Sequence, residues 1–320
     1  MYACIDLGSN SFHLLIAEWK NRKIQIIERC SDIVQIGEGV QTTGKISAAA
    51  YARGLESLKH FRDLISQHPV KRYWALGTNT FRVASNADLF INDAAVLGID
   101  ISVISGVQEA VLIYAGVISS LPKTGEERLV IDIGGGSTEI IVGKRDRRLI
   151  THSLSVGCVA WRDRFFTDQS TDLQDLGRCL TLATEAARSL FIEIAPGVAH
   201  YQWSNAYASS GTAKMLASVC VEHGYPEGEI SLPALQDLRS KLLQAIATAG
   251  LVPGLKDRRR DLLLPGFAVM AGLMAALNCS VIQFSASALR EGMLDFMVKN
   301  RKTMKVLRRG ELPDVSIANS

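Results

Sequence analysis

The amino-acid sequence predicts an α/β protein with two lobes that arose by duplication of one domain. The chain has 320 residues, and single hydrophobic cores stop growing near roughly 250–300 residues, so two domains are expected. Strand-like segments alternate with segments of helical periodicity, which is typical of α/β lobes. An internal repeat at the spacing of a whole domain indicates that the second lobe duplicates the first.

The repeat consists of residues 4–17, CIDLGSNSFHLLIA, and residues 130–143, VIDIGGGSTEIIVG. Each copy reads as a strand, a turn of small residues and a second strand, which predicts a hairpin with a tight glycine turn. The copies align without gaps and match acid with acid, glycine with glycine and serine with serine: Asp6 with Asp132, Gly8 with Gly134, and Ser11 with Ser137.

A boundary between the lobes is predicted at Pro122–Glu127, where turn-forming and charged residues separate the two copies. The expected first lobe is therefore 1–125 and the second is 126–299. Residues 300–320 read as a basic, mobile tail. The helix expected near 286–300 is a candidate to pack back on the first lobe.

The two predicted turns favour phosphate as the ligand. Glycine lets the backbone approach a ligand closely, successive N–H groups can form an anion-binding nest, and serine and threonine add hydroxyl donors. The alternative is a pair of ordinary hairpins with turn-favouring residues, but the same turn in two lobes argues for a shared phosphate site. The candidate phosphate-binding residues are Gly8, Ser9, Asn10, Ser11, Gly134, Gly135, Gly136, Ser137 and Thr138.

An acidic residue precedes each turn, Asp6 in the first copy and Asp132 in the second. A carboxylate beside a phosphate would repel it unless a cation lies between them. Magnesium is usually held by one or two carboxylates together with phosphate oxygens and waters. The sequence therefore predicts Mg²⁺ as the cofactor.

The remaining elements follow in chain order. In the first lobe they are a strand at 24–31, a helix at 47–68 capped by Ser47, a strand at 73–77, a polar turn at 78–82, a strand at 101–104 and a helix at about 107–119. In the second lobe they are strands near 129–133, 139–143 and 149–155, a helix near 172–194, a strand near 206–209, and a turn at 209–212 that precedes a further helix.

Residues 262–289 carry no charge and need comparison with a membrane span. A spanning helix needs about 20 mainly apolar residues, whereas Pro265 and Gly266 interrupt this segment early and its second half is polar. It is therefore predicted to form a buried helix at 266–277 and a short strand at 281–284. With no signal-peptide pattern at the N-terminus, a cytoplasmic location is expected.

The six cysteines are scattered, and none forms a C-x-x-C pair or lies beside a histidine cluster in the sequence. Buried, reduced thiols are expected, with neither a zinc site nor a disulfide framework. The net charge of +3 is too small to indicate DNA binding.

Eight segments, in order, resemble the exopolyphosphatase and guanosine pentaphosphate phosphohydrolase (Ppx/GppA) family, and the resemblance extends to about Lys299. The segments are IDLGSNSFHLLIA, GEGVQTTGKIS, GTNTFRVASN, ISGVQEAVLIYAGV, IDIGGGSTE, SVGCVAWRDRFF, SSGTAK and SASALREGML. The resemblance implies the two-lobed fold of actin, sugar kinases and Hsp70. Because the two predicted phosphate loops lie on different lobes, a cleft that opens and closes on substrate is expected. It also implies a hydrolase that acts on inorganic polyphosphate or on guanosine pentaphosphate (pppGpp).

The same resemblance implies catalytic roles for two acids. Glu109 is expected to be the general base, although the family usually shows two adjacent glutamates where this chain has Gln108 and Glu109. Residues 105–108 also fit a helix capping box, which would account for Gln108 structurally. Glu139 is expected to orient water or metal, or else to be an exposed polar residue.

Further candidates lie outside the repeat. Arg82 suits a phosphate chain because a guanidinium binds phosphate in a bidentate way; its alternative is a surface ion pair. Gly211 and Thr212 could offer a helix N-terminus to an anion, or form a plain strand-to-helix turn. Arg290 is a phosphate candidate whose alternative is an ion pair with Glu291. Two basic clusters, 256–260 and 299–309, are either a track for a polyanion or solvated faces.

Three function classes remain open on the sequence. The chain is an exopolyphosphatase, an enzyme acting on pppGpp, or a non-enzymatic module that binds an alarmone or polyphosphate; Gln108 is the feature that keeps the third class open. A sugar kinase or chaperone of the same fold group fits the motifs less well. The chain reads as a short form without the C-terminal HD-type region of longer members, and homodimers are typical of the family.

Overall fold

The computed structural model describes residues 1–20, 23–167 and 171–299. The described residues form two compact units: the first comprises Met1–Leu121 and residues 287–299, and the second comprises Pro122–Ala286. The predicted basic tail at 300–320, with all of the second basic cluster except Lys299, lies outside the described residues.

Both units combine a mixed sheet with helices. The strands of the first unit are β1 (Tyr2–Leu7), β2 (Ser11–Lys20), β3 (Lys23–Ile33), β4 (Arg72–Gly77) and β5 (Ile101–Val103). Those of the second are β6 (Glu127–Ile133), β7 (Thr138–Lys144), β8 (Arg147–Leu154), β9 (Trp203–Ser209), β10 (Glu229–Ser231) and β11 (Val281–Phe284). The helices are α1 (Val40–Thr43), α2 (Ala48–Ser66), α3 (Asn79–Val83), α4 (Ala87–Val96), α5 (Gly106–Ser119), α6 (Cys158–Phe165), α7 (Leu173–Ile192), α8 (Ala195–Ala199), α9 (Ser210–Glu222), α10 (Leu232–Ala247), α11 (Leu263–Ala276) and α12 (Leu289–Lys299).

The two sheets share one topology. Their strand orders are β3-β2-β1-β4-β5 and β8-β7-β6-β9-β11, with β10 added at the edge of the second. In each sheet, the first three strands of the unit form an antiparallel meander. The first strand of each meander also pairs in parallel with the fourth strand of its unit, β1 with β4 and β6 with β9. This duplicated order confirms the two-lobed, actin-like fold that the sequence predicts.

The repeated segments form hairpins with the same register. Asp6 lies opposite His13 in the first hairpin, and Asp132 lies opposite Glu139 in the second. A Cβ atom on Gly8 would lie 3.1 Å from the Ser11 carbonyl oxygen, and one on Gly134 would lie 3.2 Å from the Ser137 carbonyl oxygen. The same close approach within each turn accounts for a glycine at both positions.

The uncharged segment forms α11 and β11 as predicted, but α11 begins at Leu263 and includes Pro265. Proline is tolerated in a first helical turn because its missing N–H has no intrahelical acceptor there. Nearly every residue of α11 is buried, because the helix lies within the core of the second unit. Within the described residues, no helix has both the length and the apolar character that a membrane span requires.

The local predictions fail where a short helix replaces a turn. Residues 78–82 were expected to be a polar turn, and this prediction is wrong because Asn79–Val83 form α3. The helical prediction at 47–68 is confirmed, and the Ser47 side chain accepts a hydrogen bond from the backbone N–H of Ala50. Four of the six free cysteines are buried, whereas Cys30 and Cys179 are partly exposed.

Candidate active site

In the first unit, the turn predicted to bind phosphate (residues 8–11, the first phosphate turn) is held by its carbonyl groups. The Ser9 carbonyl accepts a hydrogen bond from the N–H of Gly37 (2.9 Å), and the Asn10 carbonyl accepts one from the N–H of Gln35 (2.9 Å). Because a trans peptide points its N–H away from the preceding carbonyl, the N–H groups of Asn10 and Ser11 point away from this supporting segment.

Side chains add to the support of the same turn. Thr80 on α3 donates its hydroxyl to Ser9 Oγ (2.8 Å), and Asn10 Nδ2 donates to Ser11 Oγ (3.0 Å). Ser9 and Ser11 are both buried. The serine hydroxyls predicted to bind phosphate therefore also take part in fixing the shape of the turn.

The turn predicted to bind phosphate in the second unit (residues 134–137, the second phosphate turn) is also held through its carbonyl groups, in this case by N–H groups of a helix. The Gly134 carbonyl accepts a hydrogen bond from the Cys158 N–H (3.0 Å), and the Gly135 carbonyl accepts one from the Val159 N–H (2.8 Å), at the start of α6. The N–H groups of Gly135 and Gly136 consequently point away from α6. The hydroxyl of Thr138 donates to the Val156 carbonyl (2.5 Å), so its proton is engaged within the protein.

A row of four polar residues crosses the second sheet at the level of this turn. The register places Ser153, Glu139, Asp132 and Ser209 on four neighbouring strands. Ser153 Oγ donates to Glu139 Oε1 (2.8 Å), and Ser209 Oγ donates to Asp132 Oδ2. The two serines were missed by sequence reasoning, because their place follows only from strand order and register.

The two central members of this row, Asp132 and Glu139, are directly opposed carboxylates. Both are buried, with 9% and 1% of their surfaces exposed. Both residues offer carboxylate oxygens on the same face of the sheet, because directly paired residues of neighbouring strands share a face. An all-oxygen donor set suits a hard cation such as Mg²⁺, so the residues present fit a magnesium ion.

The equivalent row of the first unit has a different composition. The register there places Ser31, His13, Asp6 and Leu76 on neighbouring strands. His13 thus replaces the second carboxylate, because the aligned repeat has histidine at the position that Glu139 occupies in the second copy. Asp6 lies beside the phosphate turn, with its Oδ1 atom 3.9 Å from the position of a Cβ on Gly8.

Two predicted catalytic residues of the first unit meet directly. Arg82 Nη1 donates to Glu109 Oε2 (2.8 Å) and to the Ile104 carbonyl (2.9 Å). Glu109 is only 8% exposed. Burial raises the pKa of the Glu109 carboxyl above its ordinary value, and the Arg82 charge and hydrogen bond partly oppose that rise.

Gln108 has a structural role at the start of α5. Its Oε1 atom accepts a hydrogen bond from the Ser105 N–H (2.9 Å), while its own N–H donates to Ser105 Oγ (3.2 Å). This confirms the capping box that the sequence predicts. A glutamine performs this role as well as a glutamate, and the neighbouring buried acid is Glu109.

At the start of α9 the structure adds an arginine to the predicted residues. The Arg259 guanidinium lies against Gly211, where a Cβ atom would meet it. Thr212 is buried, and its side chain is hydrogen-bonded to the Cys158 thiol, whose pKa is raised by burial and lowered in part by that bond. Burial lowers the pKa of Arg259 because it disfavours the charged guanidinium. A cation is also unfavourable at a helix N-terminus. An anion bound here would stabilise both the guanidinium charge and the helix N-terminus.

The basic cluster at 256–260 therefore divides into different roles. Arg260 donates to the carbonyls of Gly250 (2.9 Å) and Ala245 (2.7 Å), which is a structural role. Arg258 is exposed. In the other cluster, Lys299 pairs with Asp295 at 2.6 Å.

Arg290 lies at the start of α12, in the first unit. Burial raises the pKa of the Cys4 thiol on β1 well above its ordinary value, and so does the charge of Glu291, whereas the charge of Arg290 partly opposes the rise. The neighbouring Glu291 accepts from the Ala288 N–H (2.9 Å) and contacts Arg29 Nη2 (3.3 Å). Glu291 therefore has structural partners other than Arg290.

Comparison with known proteins gives consistent matches along most of the chain. The sequence model of the Ppx/GppA phosphatase family matches residues 15–301. A protein of Haemophilus influenzae that carries the provisional name exopolyphosphatase is 35% identical over 300 residues, covering 93% of this chain and 91% of that protein.

Solved structures show the same similarity in three dimensions. An exopolyphosphatase from Cytophaga hutchinsonii superposes with a TM-score of 0.82 at 27% identity, covering 95% of this chain and 99% of that one. The Ppx/GppA family member of Aquifex aeolicus gives a TM-score of 0.74 at 25% identity, with coverage of 95% and 99%.

Proposed function

The chain belongs to the Ppx/GppA phosphatase family, and on that premise we propose that it releases terminal orthophosphate from inorganic polyphosphate by magnesium-dependent hydrolysis. The observation that carries the proposal is the pair of phosphate turns. In each unit the turn is anchored through its carbonyls, which directs backbone N–H groups away from the protein support. Backbone N–H groups directed in this way can donate hydrogen bonds to the oxygens of a phosphate chain.

Glu109 is the proposed general base. Phosphoanhydride hydrolysis needs an aligned water and a group that takes its proton. A buried carboxylate whose pKa lies above the ordinary value accepts a proton more readily near neutral pH. Arg82 fixes the position of the carboxylate through a 2.8 Å hydrogen bond. The water oxygen becomes part of the released orthophosphate, and the shortened chain leaves with the bridging oxygen.

Asp132 and Glu139 are the residues that would hold magnesium, oriented by Ser209 and Ser153. Asp6 has the equivalent position in the first unit and is retained as a proposed ligand. When bound, magnesium supplies positive charge that neutralises phosphate oxygens. Arg259, beside the start of α9, is proposed as a further contact for a substrate anion. Arg290 remains a proposed phosphate contact.

The test is phosphate release by the purified full-length chain from long polyphosphate, inorganic triphosphate and pppGpp in parallel, with Mg²⁺ and with a chelator. The proposal predicts release from polyphosphate that the chelator abolishes. Release from pppGpp alone would replace the proposed substrate. Binding of these anions without any release would mean that the chain is a binding module. A cytoplasmic location and homodimer formation stay predictions.

A further inference from the structure

A second group of metal-ligating side chains lies in the first unit, apart from the residues proposed above. Cys30 and Asp32 are two residues apart on β3, so both point to the same face of this edge strand. Ser57 and His60 are three residues apart on α2, and therefore share one helix face. The Ser57–Asp32 hydrogen bond of 2.8 Å shows that the two faces meet.

The Asp32 carboxylate lies between the other two groups. Its Oδ1 atom is 3.9 Å from Cys30 Sγ, and its Oδ2 atom is 3.3 Å from His60 Nδ1. One potential ligand atom from each of the three residues lies within 4.8 Å of the others. Zinc bond lengths place tetrahedral ligand atoms roughly 3.3–3.8 Å apart, so small side-chain movements would bring these three atoms onto one ion.

The chemistry of the three groups selects a class of metal. A thiolate, an imidazole and a carboxylate suit zinc and similar divalent transition metals, whereas magnesium prefers oxygen ligands alone. Three protein ligands leave a fourth tetrahedral position for water. Ser57 is buried and donates to Asp32, which is the kind of outer hydrogen bond that orients a ligating carboxylate.

We propose that Cys30, Asp32 and His60 form a binding site for a divalent transition metal ion, with zinc the ion that fits their donor atoms best. The sequence predicts no such site, because 30 residues separate Cys30 from His60. Cys30 has no histidine near it in the sequence, but the fold brings His60 close to it. The cluster forms because α2 meets β3 at Asp32.

The experiment uses Co²⁺ as a spectroscopic substitute for zinc on the reduced, full-length chain. A thiolate bound to Co²⁺ gives a charge-transfer absorption band that carboxylate ligands do not give. The proposal predicts one such band per chain, bleached when Zn²⁺ displaces the cobalt and unaffected by excess Mg²⁺. Its readout is independent of phosphate release, so its failure is distinguishable from failure of the proposed hydrolase activity.

Matched variants identify the residues that bind the cobalt ion. Cys30→Ser and His60→Gln should each abolish it or weaken cobalt binding at least tenfold. Cys179→Ser, at another partly exposed thiol, and His200→Gln, at another exposed histidine, should leave it unchanged. Absence of the band in the unaltered chain, or a band with unchanged cobalt affinity in either Cys30→Ser or His60→Gln, would overturn the proposal and leave the cluster as a hydrogen-bond network only.

Discussion

The contact between Arg82 and Glu109 sets the chemistry of the proposed base. Burial raises the pKa of Glu109, and the adjacent arginine moderates that rise. A carboxylate acts as a base only when ionised, so the rate should fall as pH decreases through the Glu109 pKa. The acidic limb of the rate profile should accordingly lie above the ordinary range of a glutamate.

Replacing Arg82 tests this electrostatic balance. Arg82→Met removes the charge that lowers the Glu109 pKa, so the acidic limb of kcat/KM should move to higher pH in addition to any loss of rate. The pH profile of phosphate release measures the shift. Arg62→Met, which removes an exposed arginine paired with Asp63, is the control. An unshifted acidic limb in Arg82→Met would contradict the assignment of Glu109 as the titrating base.

The sequence predicts both residues of this pair but not the pair itself. The capping box at 105–108 is readable because it depends on residues three apart. Arg82 and Glu109 are 27 residues apart, and they meet because β4 and β5 are neighbouring parallel strands whose following helices begin at the same edge of the sheet. Chemistry-bearing residues can be picked out from motifs, whereas their partners depend on tertiary structure.

At the scale of elements, the polar row on β8, β7, β6 and β9 orients the proposed magnesium ligands. Ser153→Ala removes the hydroxyl that donates to Glu139. Loss of such an outer hydrogen bond typically weakens metal binding about 10–100-fold. The Mg²⁺ concentration for half-maximal phosphate release should rise accordingly, with little change at saturating Mg²⁺. Ser204→Ala, at an exposed serine of β9, should behave like the unaltered chain.

The contact between the second phosphate turn and the start of α6 requires glycine at position 157. A Cβ atom on Gly157 would lie within 2.6 Å of backbone atoms of Gly135 and Gly136. Gly157→Ala should therefore displace the turn, reduce activity and lower the free energy of unfolding by about 1–3 kcal/mol. Gly125→Ala, where a Cβ atom would meet nothing within 4 Å, is the matched control for thermal and chemical denaturation. Equal stability of the two variants would refute the close packing.

At the scale of the whole molecule, the chain leaves the first unit, forms the second and returns to complete the first. The returning helix α12 packs on α5, the helix that carries Glu109, and on β1. Two glycines allow the helices to approach closely, because a Cβ on Gly116 would overlap the Ala288 backbone and one on Gly292 would overlap the Leu112 backbone. The position of Glu109 therefore depends on a segment far away in the sequence.

A substitution at this crossing should affect both stability and activity. Gly292→Ala places a methyl group against the α5 backbone. This change should lower the free energy of unfolding of the first unit by about 1–3 kcal/mol and reduce phosphate release. Denaturation monitored by circular dichroism gives the first quantity. Gly125→Ala again serves as the control. Native stability in Gly292→Ala would contradict the packing of α12 on α5.

The overall architecture could be predicted because a duplicated domain leaves an internal repeat, which is visible in a single sequence. The aligned acids, glycines and serines fix both hairpins, and the register confirms their equivalence. The short α3 could not be read in the same way, since a helix of five residues has too few turns to show a period. The Arg259–Gly211 contact and the Cys30 cluster arise only when distant segments pack together.

The central claim is that Glu109, and not its neighbour Gln108, activates water for phosphoanhydride hydrolysis. The most direct measurement compares phosphate release from polyphosphate by Glu109→Gln and Gln108→Glu at saturating Mg²⁺. We predict a loss of about 10²–10⁴-fold in Glu109→Gln, the usual contribution of a general base, and near-normal release in Gln108→Glu, whose capping box is preserved. Undiminished release in Glu109→Gln would contradict this account.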